Sequence, residues 1–310
     1  MVRVIGFLVG LAFAGVLLIS LITGIATNLN NPAPKLASEE FHLPPKHLSL
    51  SSDGPFGKFD NEQLQRGFQV YSEVCSACHS LKLVSFRDLK DLGYKDAEIK
   101  KIASDWKTQV PSINPDTGEA ATRKALPSDT FPPPFANEVA ARAANNNALP
   151  PDLSLITKAR EGGAAYVYSI LTGFANADTY RNKEGKALPA EAKPGTNLHF
   201  NPYFANLNIA MPPPLKGGEV TFADGKPNDL DHEAQDVAAF LVWTANPELE
   251  RRHAVGWSVS IFLLVASILG YLAYQQIWHE AKRAVRVTGA LEPENQAKTR
   301  RAKTKQGVAG

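Results

Sequence analysis

Cysteine and methionine are almost missing from this chain, with two of each in 310 residues. Both cysteines fall in one short run, Cys75-Ser76-Ala77-Cys78-His79. A disulfide between them would be short and strained. A thioredoxin-like redox pair needs a βαβ context, and none follows. A zinc site needs further ligands nearby. Met1 is the start residue, so any thioether ligand must come from Met211. Charge is missing from two stretches, the 23 residues from Val4 to Ala26 and the 25 from Ala254 to Trp278. Each exceeds the roughly 20 residues that span a hydrocarbon core, and a buried globular helix is rarely that long without charge. There is no internal repeat, and strand signals are few.

What is present is the pattern C-x-x-C-H, the attachment site of a c-type haem. Two thiols about one helical turn apart add across the two vinyl groups, and the next residue, His79, offers an imidazole nitrogen to the iron. The expected cofactor is one covalently attached haem c.

Arg3 followed by an apolar run marks residues 1–28 as a signal sequence or an N-terminal anchor. Either places the following residues outside the cytoplasm, where c-type haem is attached. Residues 252–278 read as a transmembrane helix, with Trp257 near one end and Tyr274 and Trp278 near the other. The tail, 279–310, carries eight Lys and Arg against three Glu, a net of +5. The positive-inside rule puts it in the cytoplasm of a bacterium, with the middle of the chain in the periplasm. After a membrane helix, this basic tail is not a nucleic-acid patch.

Pro32, Pro34, Pro44, Pro45 and Pro55 make residues 29–58 an extended linker. The haem domain is expected over 59–248. Asp60 and Gln63 form a capping box before Leu64, Phe68 and Tyr71, spaced at the helical period. Gly67 inside that helix costs roughly 1 kcal/mol relative to Ala, which a close helix–helix contact would explain. The expected partner helix is capped by Asp229 or Asp231, shows Val237, Phe240, Leu241 and Thr244 on its apolar face, and ends at Asn246-Pro247. Between them, 88–107 reads as helix, 111–134 as loop and 163–172 as helix ended by Gly173. The fold class is mostly α, a class I c-type cytochrome with long loop insertions.

Met211 lies in the stiff run Met211-Pro212-Pro213-Pro214 and is the preferred sixth ligand, with His199 its main rival. His42, His47, His232 and His253 are scattered and read as surface or linker residues.

Several segments resemble the cytochrome c1 family. They are Arg66-Gly67-Phe68-Gln69-Val70-Tyr71, the run Ala140 to Asn146, Ala148-Leu149-Pro150-Pro151-Asp152-Leu153-Ser154, Ala159-Arg160 before Gly162-Gly163, Phe200-Asn201-Pro202-Tyr203-Phe204, and Met211 with its prolines. The resemblance covers about residues 50–280. It implies that His79 and Met211 ligate iron and that Cys75 and Cys78 hold the vinyl carbons. It also implies that Arg160 pairs with a haem propionate, Tyr166 reaches a propionate, and Asn145, Pro150 and Pro151 line the pocket. The family usually has Gly where this chain has Asn147, a residue that tolerates positive φ.

The resemblance further implies an electron-transfer subunit of ubiquinol–cytochrome c reductase, a proton-translocating quinol oxidoreductase complex. It would sit beside cytochrome b, accept electrons from a Rieske iron–sulfur subunit and pass them to cytochrome c. The chain itself does no bond chemistry. A free-standing membrane-tethered shuttle is the alternative, although the 131 residues between His79 and Met211 exceed what a minimal shuttle needs. A haem enzyme would need an open distal position. Residues 219–236, with six acids against Lys226, offer a candidate docking patch for a basic partner.

Overall fold

The computed structural model describes residues 2–31, 36–284 and 296–298, and the chain divides into two units, 1–247 and 248–310. The first unit begins with α1 (Val2–Asn30), 29 residues of which none is buried. A short α2 (Ala37–Phe41) follows. Residues 42–60 are irregular but anchored, which corrects the linker reading. Phe41 is completely buried against Leu188, Phe200 and Leu207, the Leu43 N–H donates to the Pro202 carbonyl (2.8 Å), and the Lys46 N–H donates to Ser169 Oγ (2.7 Å). Pro44 and Pro45 do enforce an extended backbone, but that backbone lies on the domain.

The next helix, α3 (Asn61–Glu73), starts where expected, with Asp60 accepting from the N–H groups of Glu62 and Gln63 at 3.0 and 3.3 Å. Gln63 spends its side-chain amide on Asp236 across the fold (3.1 Å), not on the cap. Beyond α3 the single helix expected over 88–107 is two pieces. A 3-10 helix spans Phe86–Leu92, Gly93 (φ 94°) turns the chain, and α4 covers Asp96–Ser104. The loop expected over 111–134 contains a hairpin. Strands β1 (Val110–Ile113) and β2 (Ala120–Arg123) pair antiparallel, and Asn114 accepts the Gly118 N–H in the connecting turn. Helices α5 (Glu138–Ala144), α6 (Ile156–Ala159) and α7 (Gly163–Thr172) follow, the last closed by Gly173. The two-residue strands β3 (His199–Phe200) and β4 (Asn208–Ile209) pair before α8 (Leu230–Ala245), which is capped by Asp229 and ends at Asn246.

Helices α3 and α8 cross at Gly67, where an added Cβ would lie 2.0 Å from the Asp236 carbonyl oxygen. Around that crossing the rings of Phe68 and Tyr71 each stand 5.7 Å from Phe240, and Trp106, Phe86 and Phe131 complete the aromatic core. Arg66 donates to Asp236 and Asp224 at 2.7 Å each, with the Asp236 side chain only 6% exposed. Removing one partner strands a buried charge. Arg66→Met is therefore expected to cost about 3 kcal/mol in thermal unfolding of the haem-loaded protein, and the same loss in Asp236→Asn would assign it to this pair.

In the second unit α9 (Leu249–Ala284) runs 36 residues, and Leu249–His279 is long and apolar enough to cross a membrane, as Val2–Asn30 is. At 1.5 Å per residue, even this shorter stretch exceeds a hydrocarbon core of about 30 Å. The Tyr274 and Trp278 rings lie 6.0 Å apart near its far end. Most of the basic tail lies outside the described residues.

Candidate haem site

The motif grows directly out of α3. Val74 caps the helix, Cys75–Ala77 tighten into a 3-10 turn, and the N–H groups of Cys78 and His79 donate to the Cys75 carbonyl at 3.1 and 2.9 Å. This winding places the two cysteines three residues apart on one turn. No disulfide joins them, and Cys75 is half-buried and Cys78 exposed. Burial, and then the neighbouring Cys78, pushes the Cys75 thiol up to about 12.

His79 Nδ1 lies 2.8 Å from the Pro151 carbonyl oxygen. A carbonyl only accepts, so Nδ1 carries the proton and Nε2 keeps its lone pair for a metal. Burial lowers the His79 pKa, which favours the neutral imidazole that ligation requires. The surrounding backbone is stitched in place. Tyr71 OH donates to the His79 carbonyl (3.0 Å), and the Leu153 N–H donates to the Ser80 carbonyl (2.9 Å). Asp152 accepts from Ser80 Oγ, the Lys82 N–H and the Ser154 N–H at 2.8, 2.9 and 3.0 Å. Burial raises the Asp152 carboxyl, but these donors together hold it below the usual range. Asp152 and Ser80 therefore fix the Pro151 carbonyl against the imidazole. Sequence reasoning gave them no role, although Asp152-Leu153-Ser154 is a side-chain-capped turn pattern.

The other candidates fall into separate groups. Pro150 is half-buried and Pro151 exposed, with Leu149 and Leu155 exposed on either side. Asn145 ends α5 and donates to the Ala141 carbonyl (2.7 Å). Asn147, after it, has φ 67°, the conformation that glycine would adopt freely. The exposed Arg160 guanidinium stands beside the Tyr166 hydroxyl; burial pushes Tyr166 up and Arg160 opposes it. Met211 is half-buried at the edge of the main core, two residues after β4 and before buried Leu215. His199, its rival, is half-buried in β3 opposite Ile209. Among the described residues, none of Asn145, Arg160, Tyr166 or Met211 hydrogen-bonds to His79.

These features fit a haem. Two cysteines sit on one turn, an imidazole held by the Pro151 carbonyl presents a free nitrogen, a thioether borders an apolar core, and a guanidinium–phenol pair suits carboxylates. No three His, Cys, Asp or Glu side chains among the described residues group to hold a bare metal ion.

The acidic run 219–236 is only partly free: Glu219, Asp224, Asp229 and Asp231 are exposed, but most of its acids are engaged within the fold. Glu233 is fully buried, Asp236 and Asp224 are paired with Arg66, Asp229 caps α8 and contacts His232, and Asp231 accepts from the Tyr168 hydroxyl and Gln235. Glu233 Oε1 accepts the Val220 N–H (3.0 Å). Burial, with the Glu219 carboxylate adding to it, raises Glu233 to about 7, while the N–H groups of Val220 and Gly218 oppose the shift. The fold thus favours protonated Glu233. Its contribution to stability is complete below the ordinary glutamate value of 4.5 and disappears as pH rises through about 7. Glu233→Gln is expected to flatten the fall in melting temperature across that window, and an unchanged slope would assign it to other groups.

A mostly helical fold with apolar helices at both ends and this motif defines a membrane-anchored haem protein. A sequence profile of the Cytochrome C1 family matches residues 50–281, and the chain belongs to that family. Cytochrome c1 proteins are the electron-transfer haem subunits of ubiquinol–cytochrome c reductase. The chain is 42% identical over 239 residues to cytochrome c1 of Rhodospirillum rubrum, covering 74% of this chain and 85% of that one. It is 40% identical over 238 residues to the mitochondrial cytochrome c1 haem protein of Saccharomyces cerevisiae, covering 77% and 72%. It is 38% identical over 284 residues to cytochrome b/c1 of Bradyrhizobium diazoefficiens, covering 85% of this chain and 39% of the longer protein.

Proposed function

We propose that this chain carries one haem c, linked through Cys75 and Cys78 and ligated by His79 and Met211. With that haem bound, the chain would accept electrons from a Rieske iron–sulfur subunit and pass them to cytochrome c, next to cytochrome b. The observation that carries this reading is the His79 Nδ1–Pro151 hydrogen bond at the end of the C-x-x-C-H turn. It fixes the tautomer and ring direction that an axial imidazole needs. When bound, the haem supplies one-electron redox chemistry. The chain's own residues would hold it: Cys75 and Cys78 as thioether attachments, Met211 as a soft, weak ligand, and Arg160 with Tyr166 toward the propionates. Pro150, Pro151 and Asn145 border the pocket. No residue is required as a general acid or base.

The haem domain lies on the periplasmic side of a bacterial inner membrane, held by α9, with the basic tail in the cytoplasm. The charge asymmetry supports this orientation, since the tail carries +5 and residues 1–278 carry −3. Residues 1–28 serve as signal or anchor for the same export.

The test is mass spectrometry of the Cys75–His79 peptide together with carbon monoxide titration of the reduced complex. A peptide carrying one haem, and no carbon monoxide adduct, is expected. A haem-free peptide, or a reduced haem that binds carbon monoxide readily, would overturn the six-coordinate relay.

A further inference from the structure

Lys46 is bound more tightly than a surface lysine. Its ammonium donates to the Thr172 carbonyl (3.1 Å) and Thr172 Oγ1 (2.7 Å), and lies 5.7 Å from the Tyr168 ring centre and 5.4 Å from that of Tyr203. A cation at a helix C-terminus and over aromatic faces gains from the dipole and from both rings. Its backbone N–H is also taken, by Ser169 Oγ. The residue before it, Pro45, packs on Gly162, where an added Cβ would come within 2.7 Å of the Pro45 ring.

The consequence lies in what these contacts join. Pro45 presses the Gly162-Gly163 turn, two residues past Arg160 and at the start of the helix that carries Tyr166. Lys46 fixes the other end of that helix to Tyr203. Asn201, two residues earlier, donates its side-chain amide to the Ile170 carbonyl (2.8 Å) and its backbone N–H to the Leu207 carbonyl (2.8 Å). From Leu207 the chain runs through β4 into Met211. One irregular strap, residues 43–46, therefore ties together the Arg160–Tyr166 branch and the branch that delivers Met211.

We infer that Lys46 is a positioning residue for the haem site, holding the segment that presents the Met211 thioether in register with the helix that presents Tyr166. The inference rests on the ligand set proposed above. A lysine acting only as a surface staple would change unfolding and leave ligation alone.

The experiment compares Lys46→Met and Lys46→Arg in the assembled, haem-loaded complex. It reads the ferric Met–iron charge-transfer band and the carbon monoxide reactivity of the reduced haem, each normalised to haem content. Loss of the band and gain of a carbon monoxide adduct are expected in Lys46→Met, with substantial recovery in Lys46→Arg, which retains a cation for both rings and the carbonyl. A parental band and no adduct in Lys46→Met would overturn the inference. Should Lys46→Met yield no complex, Thr172→Val removes one acceptor and is expected to weaken the band in the same direction; an unchanged band there would overturn the inference equally. If the parent lacks the band, the Met211 reading fails; if the parent has it and both variants keep it, only the role of Lys46 fails.

Discussion

Replacing Met211 by histidine lowers the haem midpoint potential by on the order of 0.1 V or more, within the ~0.8 V range that axial ligands command. A thioether is a soft, weak donor that favours Fe(II), whereas a second imidazole favours Fe(III). Met211→Lys is expected to shift the potential in the same direction. The chain offers no substitute thioether, because Met1 is the only other methionine. Its geometry also resists adjustment. Pro212-Pro213-Pro214 follow with restricted φ, and buried Leu215 closes the segment on the main core. Potentiometric titration of the c-type band in the intact complex provides the measurement. An unchanged potential would remove Met211 from the iron and leave His199 as the residue to test next.

Gly67→Ala destabilises the haem domain by about 3 kcal/mol, against a gain of about 1 kcal/mol from the better helix propensity of Ala. The first added carbon would sit 2.0 Å from the Asp236 carbonyl oxygen and 2.7 Å from Phe240 Cβ. Neither neighbour is the free end of a long side chain. Relief requires α3 and α8 to separate, which would open the contacts of Phe68 and Tyr71 with Phe240 and stretch the Arg66–Asp236 pair. A fall in melting temperature of roughly 6–12 °C is expected for a domain of this size. A melting temperature at or above the parent's would show that the helices part without cost.

The elements legible in the sequence were those with local causes. Asp60 and Asp229 cap their helices through side-chain oxygens within three residues, and Gly163–Thr172 is a short apolar helix with glycine at both edges. Gly67 was legible through its cost, which pointed to a close contact. The motif was legible because its chemistry lies in five consecutive residues. What escaped was long-range. The strap at 43–46 owes its order to distant partners, the Lys46 contacts lying 123 and 126 residues away, so its prolines suggested only an extended linker. The hairpin at 110–123 has four-residue strands without apolar alternation, and its Pro, Thr and Gly content resembles a loop. Formal charge in 219–236 did not reveal that Glu233 is buried or that Arg66 takes two of the acids. At the site, the sequence named His79 and Pro151 separately; the hydrogen bond joining them, and the Asp152 network that holds it, appear only once the chain folds back on itself.

The central claim is that this haem belongs to the quinol-oxidising complex and not to a lone tethered shuttle. A reduced-minus-oxidised visible spectrum of the chain, gently isolated from detergent-solubilised membranes, tests it before and after addition of a quinol. Cytochrome c1 function predicts b-type bands beside the c-type band, with quinol reducing both. A c-type band alone that quinol leaves oxidised, in a preparation whose complex is shown to survive the detergent, would contradict it.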